Sequence, residues 1–594
     1  MTRTLLHFFT LLLALLTLSG SLPPAFGAGV QSTDTRRVNA PYFDDDITWA
    51  ETAIFWLGQN QQGSPPTRNY TDVRLGYTDE ALAIWLTVAD YYLWYDASAT
   101  PSSDLTPWDA AAVYLDTNGD GAAAPQTDDY WFLIGARHWQ DVSNYMRQAR
   151  GSGSAWNTAW SPSTAWTAQS SMSWYCDPGP NSNDCGIDFG WTAVFTLPWA
   201  TLGLSGPPAD GALWGLGVQV YDHDLSGGSP LTPEVWPETF ASGSPATWGE
   251  LAFNPPAYQP PAAVVEGSTT LRRGLNGAVE DAWMGGGGTC GGGHNGGGEI
   301  NHGDSGDLYT GSETAVTHLP CFNKSYLRFY LDDIPAGRTI LSASLTLHLW
   351  GHAGETPDLA QPSWVHLFSV TDPWQEMTIH WNNAPLPREN LSVTRVDPYS
   401  SPGDIHWPGD PYTWDATQAV AEAHAAGQPL SIALYASDSA QHSSKYYVGS
   451  ESTITTGRPT LTVTWGRAAA ELEKTVSPSF GHTGQSLTYT LSFPGTGNTL
   501  TLTDDLPDGV SAPTILPGST VTPSYASGRL TWSGAPSSGQ EVIVRYSVTI
   551  ETGQSRALVN TAQLSEAGGE PSTARATAVA NPTQVFLPLT LSND

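Results

Sequence analysis

Leu345-Thr346-Leu347-His348-Leu349 places an apolar side chain at every second position. A period of two is the repeat of a pleated strand, so the three leucines share one buried face while Thr346 and His348 look the other way. The same grammar recurs towards the N-terminus in Val73-Arg74-Leu75-Gly76-Tyr77 and in Ala83-Ile84-Trp85-Leu86-Thr87-Val88. Turn formers separate such runs throughout, and the 60 Gly and 45 Pro are enough to end strands every few residues. Short strands with frequent turns read as β-sandwiches. One short helix is predicted around Ala416 to Ala426, and the strand-helix alternation of a parallel α/β sheet is missing. The expected fold class is all-β, as three tandem β-sandwich domains.

A chain of 594 residues exceeds what one hydrophobic core organises, which independently calls for about three domains. Composition shifts place the joints. Asn254-Pro255-Pro256-Ala257-Tyr258-Gln259-Pro260-Pro261 reads as a stiff linker, Arg467-Ala468-Ala469-Ala470 as a second break, and Asn581-Pro582 as the start of a tail. The expected domains are 38–254, 265–466 and 471–580, with a Pro-rich linker at 255–264 and a tail at 581–594. At the N-terminus, Arg3 precedes an apolar run from Leu5 to Leu18 and the small-residue stretch Ala25-Phe26-Gly27-Ala28. Residues 1–27 therefore read as a secretory signal peptide, with an uncleaved anchor as the alternative. No later run has the length a bilayer requires, so the mature chain is expected without a membrane span, secreted to the exterior or the cell surface.

Asp and Glu number 57 against 23 Lys and Arg, a net charge of −34. Without a basic stripe to offset that repulsion, nucleic acid is excluded as a partner. The 25 Trp can fill sandwich cores or lie against sugar rings, and the core has first claim on most of them. Cys176 with Cys185, and Cys290 with Cys321, form two local pairs expected to be disulfides in an oxidising compartment; three pairings are formally possible. Asp116-Thr117-Asn118-Gly119-Asp120-Gly121 has oxygen ligands at alternate positions around a glycine turn, as a calcium loop does, with Asp116, Asn118 and Asp120 as the ligands. An EF-hand would place Glu at the twelfth position, where Thr127 stands, so a polar hairpin turn is the competing reading.

Asp44-Asp45-Asp46-Ile47-Thr48-Trp49, Trp108 ahead of Ala112-Val113-Tyr114-Leu115-Asp116, Gln219 within Gly217-Val218-Gln219-Val220, and Pro245-Ala246-Thr247-Trp248-Gly249-Glu250-Leu251 together resemble family 9 carbohydrate-binding modules and their DOMON-like relatives. The resemblance implies a sugar clamped between Trp108 and Trp236, with Asp90 and Gln219 as polar contacts on the rim, and it implies calcium use. Indole faces suit a pyranose because its C–H faces pack on aromatic rings. This sequence departs from the family at two rim positions, where the family's Glu falls at Tyr114 and its Arg at Leu133. Each lost charged contact removes about 1 to 3 kcal/mol from polyol recognition. The competing reading of both indoles is ordinary packing. Relatives that hold haem need axial ligands, and Met146, Met172, His138 and His223 show no matching spacing.

Ser325 to Leu331, Val370-Thr371-Asp372-Pro373-Trp374, Thr378 to Pro385, Trp414-Asp415-Ala416-Thr417 and Arg458 to Val463 occur in the order found in DNRLRE-type modules, also classed as family 96 carbohydrate-binding modules. That resemblance implies a jelly-roll-like sandwich. Trp381 and Trp414 read as core anchors, and Asn382 with Asn383 as turn formers. His294, Glu299, His302, Asp304 and Asp307 accompany a glycine-rich stretch without recognisable metal spacing. Leu472-Glu473-Lys474-Thr475-Val476, Gly484 to Thr490, Leu502 to Val510 and Val559-Asn560-Thr561-Ala562 resemble the Ig-like repeat domain known as DUF11, which implies a stalk or spacer. Asp504, Asp505 and Asp508 suggest a cation site or, alternatively, a turn closing a strand. No nucleophile elbow, zinc helix or paired-acid motif is present, so the expected function is a non-catalytic surface protein binding a polysaccharide or glycan. Its alternative is a structural or adhesive protein whose sandwiches act as spacers.

Overall fold

The computed structural model describes residues 35–58, 70–174, 180–181, 188–225, 227–261, 263–285, 297–312, 322–354, 359–398, 407–437, 442–468, 471–537, 540–566 and 571–582. The expected signal peptide, all four cysteines of the expected disulfides, His294 and most of the tail lie outside these residues. Among the described residues the regular structure is nearly all strand, and the one α-helix, Thr417–Ala425, falls where the sequence predicts it.

In the N-terminal sandwich, Ala53–Leu57, Tyr70–Tyr77, Ala81–Ala89, Gly190–Pro198 and Thr167–Ser173 form one sheet in that spatial order. The facing sheet runs Arg37–Ala40, Gly249–Phe253, Leu213–Tyr221, Ala110–Asp116, Asp129–Gly135, Met146–Gly151 and Trp156–Asn157, with Glu234–Trp236 also paired to Leu213–Tyr221. Alternation decides what each face does. Val113, Leu115, Phe132, Ile134 and Val218 are wholly buried in the core. Each such side chain contributes about 1.5–3 kcal/mol. The register pairs Tyr114 with Trp131, and Gln219 with Ala112, on the opposite face.

In the middle domain nine strands form one continuous hydrogen-bonded path, from Ala263–Leu271 to Glu389–Val396, and two more, Val279–Gly285 and Asp410–Asp415, pair beside it. Its two halves close on a shared core. Leu345, Leu347, Leu349, Leu461 and Val463 of one half meet Leu327, Phe329, Val365, Leu367, Ile432 and Leu434 of the other. Trp414 spans them, its indole N–H donating to the Val365 carbonyl at 2.7 Å. The C-terminal sandwich packs a four-stranded sheet on a six-stranded one around Leu487, Leu491, Val544, Leu502 and Leu564.

Prolines mark where the chain crosses from the first sandwich to the second, yet the two are not separate beads. A single hydrophobic cluster runs through both, and Trp56 lies 5.3 Å from the rings of Phe368 and of Tyr435. Arg74 Nε donates to the Ser437 carbonyl at 2.6 Å, Tyr435 donates to Asp72 at 2.8 Å, and Arg37 N donates to the Arg388 carbonyl at 2.7 Å. Asn39 and Asn390 exchange side-chain and backbone bonds across the seam. At its centre Lys324, 1% exposed, holds its Nζ 3.9 to 4.7 Å from the rings of Trp381, Trp56, Tyr70 and Tyr435 and donates to the Tyr70 hydroxyl. Burial depresses the Lys324 amine well below the ordinary lysine value, and the nearby Asp72 carboxylate partly opposes that shift. Aromatic faces supply negative potential where water is excluded. The outer face of the sheet that carries Trp56, Tyr70, Asp72 and Arg74 is thereby spent on packing.

Candidate functional site

Register decides the fate of the expected indole clamp. Val218 points into the core, and Trp236 sits opposite it on the neighbouring strand, so the indole is carried to the same side. Its ring lies 4.2 Å from Phe55 of the facing sheet and is 1% exposed. Gly249 has no Cβ where one would come within 2.7 Å of this indole. Trp108 stands elsewhere, partly exposed, 5.3 Å from the imidazole of His223. The pair therefore forms no slot, and the clamp read from the family 9 resemblance is corrected to one core ring and one rim ring. Gln219 lies on the outer face, accepting from the hydroxyls of Tyr114 and Tyr221 at 3.1 Å each.

Asp90 is buried rather than on a rim. It gathers with Asp109 and Asp222 at the ends of three strands, each offering an oxygen within 4.8 Å of the others. Tyr92 N donates to Asp90, while Trp94 N and His223 N donate to Asp109, so the cluster ties down the loops that leave these strands. Burial pushes all three carboxyls well above the usual range, and repulsion from neighbouring carboxylates, Asp224 among them, adds to the rise. Asp224 beside them is pushed up to about 7 by burial.

The Asp116 loop is a turn with a concave acidic edge. Asp116 accepts from the backbone N–H groups of Asn118, Gly119 and Gly121, and Gly119 and Gly121 take positive φ. Asp116, Asp120 and Asp128 each offer an oxygen within 4.8 Å of one another, and Asp128 Oδ2 is buried without a hydrogen bond. Asn118 instead bonds Asp120, accepting from its N–H and donating to its carboxylate. These donors fit a hard cation, with Asp128 as the third carboxylate in addition to the residues expected from spacing.

A groove of about 920 Å³ opens in the middle domain, where Arg328–Tyr330, Ser369–Gln375, Arg388 and the end of the Thr417–Ala425 helix converge. Buried Trp374, 6% exposed, backs it: its indole N–H donates to Ser431 Oγ at 2.7 Å and its ring carries the Arg328 guanidinium at 4.3 Å. Arg328 also donates to Glu280 and to the Trp374 carbonyl, which fixes its plane. Arg388 pairs with Glu422 on the opposite wall at 2.5 Å. Asp372, Gln375, Asn383 and Gln428 are exposed on the rim. A concave wall that sets fixed donors and acceptors against an apolar backing suits a polyhydroxylated ring. Sequence reasoning quoted the segments holding most of these residues without joining them, because four separated segments meet only in the fold.

Residues 294–465 match the carbohydrate-binding module family 96. Every groove residue named above except Glu280 falls in this family 96 segment. Trp381 and Trp414 of the segment are each 1% exposed and act as core anchors. Solved structures similar to the chain include a family 9 carbohydrate-binding module from Caldicellulosiruptor kristjanssonii in complex with cellotriose, 17% identical, covering 37% of this chain and 95% of that one at a TM-score of 0.26. A candidate carbohydrate-binding protein from Bacteroides uniformis is 13% identical over 37% of this chain and 99% of that one, TM-score 0.26. The N-terminal domain of a Streptococcus gordonii adhesin is 10% identical over 92% of this chain and 94% of that one, TM-score 0.19. No curated protein matches the chain.

Proposed function

We propose that the chain is an exported, non-catalytic carbohydrate-binding protein whose sugar site is the groove of the family 96 segment. The observation that carries this reading is the coincidence of the family match at 294–465 with a groove of about 920 Å³ backed by Trp374 and lined by Arg328, Gln375, Arg388 and Gln428. Both arginines are already paired to carboxylates, Arg328 with Glu280 and Arg388 with Glu422, and the chain as a whole carries a charge of −34. A neutral polysaccharide meets neither an unpaired cation nor long-range repulsion there, so neutral glycans are the expected ligand class.

Affinity electrophoresis of the full chain through gels containing soluble neutral polysaccharides, with calcium present, tests the reading. Retardation by at least one polymer, reduced tenfold or more in Gln375→Ala and Gln428→Ala, is expected. No retardation by any neutral or acidic polymer would overturn it. The burial of Trp236 favours a second role for the N-terminal sandwich, that of a scaffold clamped to the family 96 segment through the Lys324 seam.

A further inference from the structure

In the C-terminal sandwich the core is mostly apolar, and a polar group gathers at one level. Lys474 on Glu473–Ser477, Asp504 on Leu500–Asp505 and Asn560 on Arg556–Glu566 all turn inward, and all are buried, at 8%, 1% and 0% exposure. Lys474 belongs to one sheet and the other two to the facing sheet. The Lys474 amine contacts Asp504 Oδ1. Tyr546 donates to Asp504 Oδ2 at 2.6 Å, and Asn560 Nδ2 donates to the Tyr546 hydroxyl at 2.7 Å. Amine and carboxamide thus stand at the two ends of one short relay that runs through a single carboxylate. Tyr489 walls the group, 5.3 Å from the amine and stacked on Tyr546 at 5.4 Å. Asn560 Oδ1 accepts no hydrogen bond, although the residue is wholly buried.

A lysine, a carboxylate and a primary carboxamide buried together are the reactants and the proton carrier of an amide exchange. We propose that Lys474 and Asn560 join in an intramolecular isopeptide bond, formed by the folded domain itself with Asp504 carrying the proton. The lone pair of the neutral Lys474 Nζ attacks Cγ of Asn560, forming the new C–N bond. Asp504 accepts one proton from the attacking nitrogen, and the Tyr546 hydroxyl, which bonds both Asp504 Oδ2 and Nδ2, passes a proton on to Nδ2 as it takes one from Asp504. The Cγ–Nδ2 bond breaks and ammonia leaves. Reactants and products balance without an oxidant, a cofactor or another reactant: one amine and one primary amide become one secondary amide and ammonia. Burial favours the neutral amine that this attack requires, since it pushes Lys474 down to about 8. The chain from Lys474 through Asp504 and Tyr546 to Asn560 holds both reactants in one buried group, so they need no encounter.

The bond would staple the first strand of one sheet to the facing sheet. It would remove chain entropy from the unfolded state in the way a cross-link does, and it would keep the two sheets from being pulled apart. This inference concerns the C-terminal sandwich alone and stands whether or not the groove binds a sugar.

Intact mass spectrometry of the folded, disulfide-reduced full chain, followed by tryptic mapping, tests it. The mass is expected to fall short of the mature sequence by one ammonia. Trypsin is expected not to cut after Lys474, and a branched peptide joining Lys474 to Asn560 is expected in its place. Asp504→Asn, with both reactants kept and folding checked by circular dichroism, is expected to show the full mass. A wild-type digest containing the linear peptide ending at Lys474, with no branched species and no mass deficit, overturns the proposal. A folded Asp504→Asn chain that closes as completely as wild type overturns the role given to Asp504.

Discussion

Replacing Trp236 separates a core ring from a ligand contact. The indole is 1% exposed and lies 4.2 Å from Phe55. A buried indole removes about 150–250 Å² from water, worth about 4–6 kcal/mol at roughly 25 cal/mol per Å². Trp236→Ala is therefore expected to destabilise the N-terminal sandwich by about 3–5 kcal/mol once partial relaxation is allowed for. For a domain of this size that lowers its melting temperature by roughly 6–20 °C. Trp236→Phe behaves differently. It keeps an aromatic ring against Phe55 and deletes an Nε1–H that is buried without an acceptor, an orphan that costs about 1–3 kcal/mol. The regained penalty offsets most of the lost area, so the Phe variant is expected within about 1.5 kcal/mol of wild type. Thermal melts of both variants, with polysaccharide affinity measured well below either transition, check this. A Phe variant that melts like wild type but loses tenfold or more in affinity would refute the core assignment, because only a ring touching sugar separates the two readouts.

Lys324→Ala is expected to weaken the seam between the first two sandwiches by about 3–5 kcal/mol, whereas Lys324→Met, which fills the same cage without a charge, stays within about 1.5 kcal/mol; susceptibility to limited proteolysis at 255–264 reports the difference. Asp281 is 1% exposed and is pushed up to about 7 by burial, against the opposing hydrogen bond from Ser450 N. A carboxyl raised in the fold keeps its proton between about pH 4 and 7 while the unfolded chain has lost it. Its stability contribution is thus complete below about pH 4 and lost as pH rises through 7, by at most roughly 4 kcal/mol. Asp281→Asn is expected to flatten the melting temperature measured across that window. Calcium at 100 times its dissociation constant is expected to stabilise the N-terminal sandwich by about 2.7 kcal/mol through Asp116, Asp120 and Asp128, and Asp128→Ala should abolish the shift; a wild-type melt indifferent to calcium would leave the loop as a polar turn.

Local chemistry was legible without any fold. The alternation of Leu345 to Leu349, the position of the Thr417–Ala425 helix, the proline crossing at 255–261 and the burial of Trp381 and Trp414 all follow from periodicity and residue type. Properties that depend on which strands become neighbours were not legible. Trp236 goes inward because its partner across the ladder is Val218 and not Gln219, a one-position matter that no spacing within the chain records. The Trp374 groove, the Lys324 cage and the Lys474–Asp504–Asn560 group each collect side chains from distant strands. Their chemistry arises from burial and juxtaposition, which set dielectric, distance and direction only after the sheets have closed.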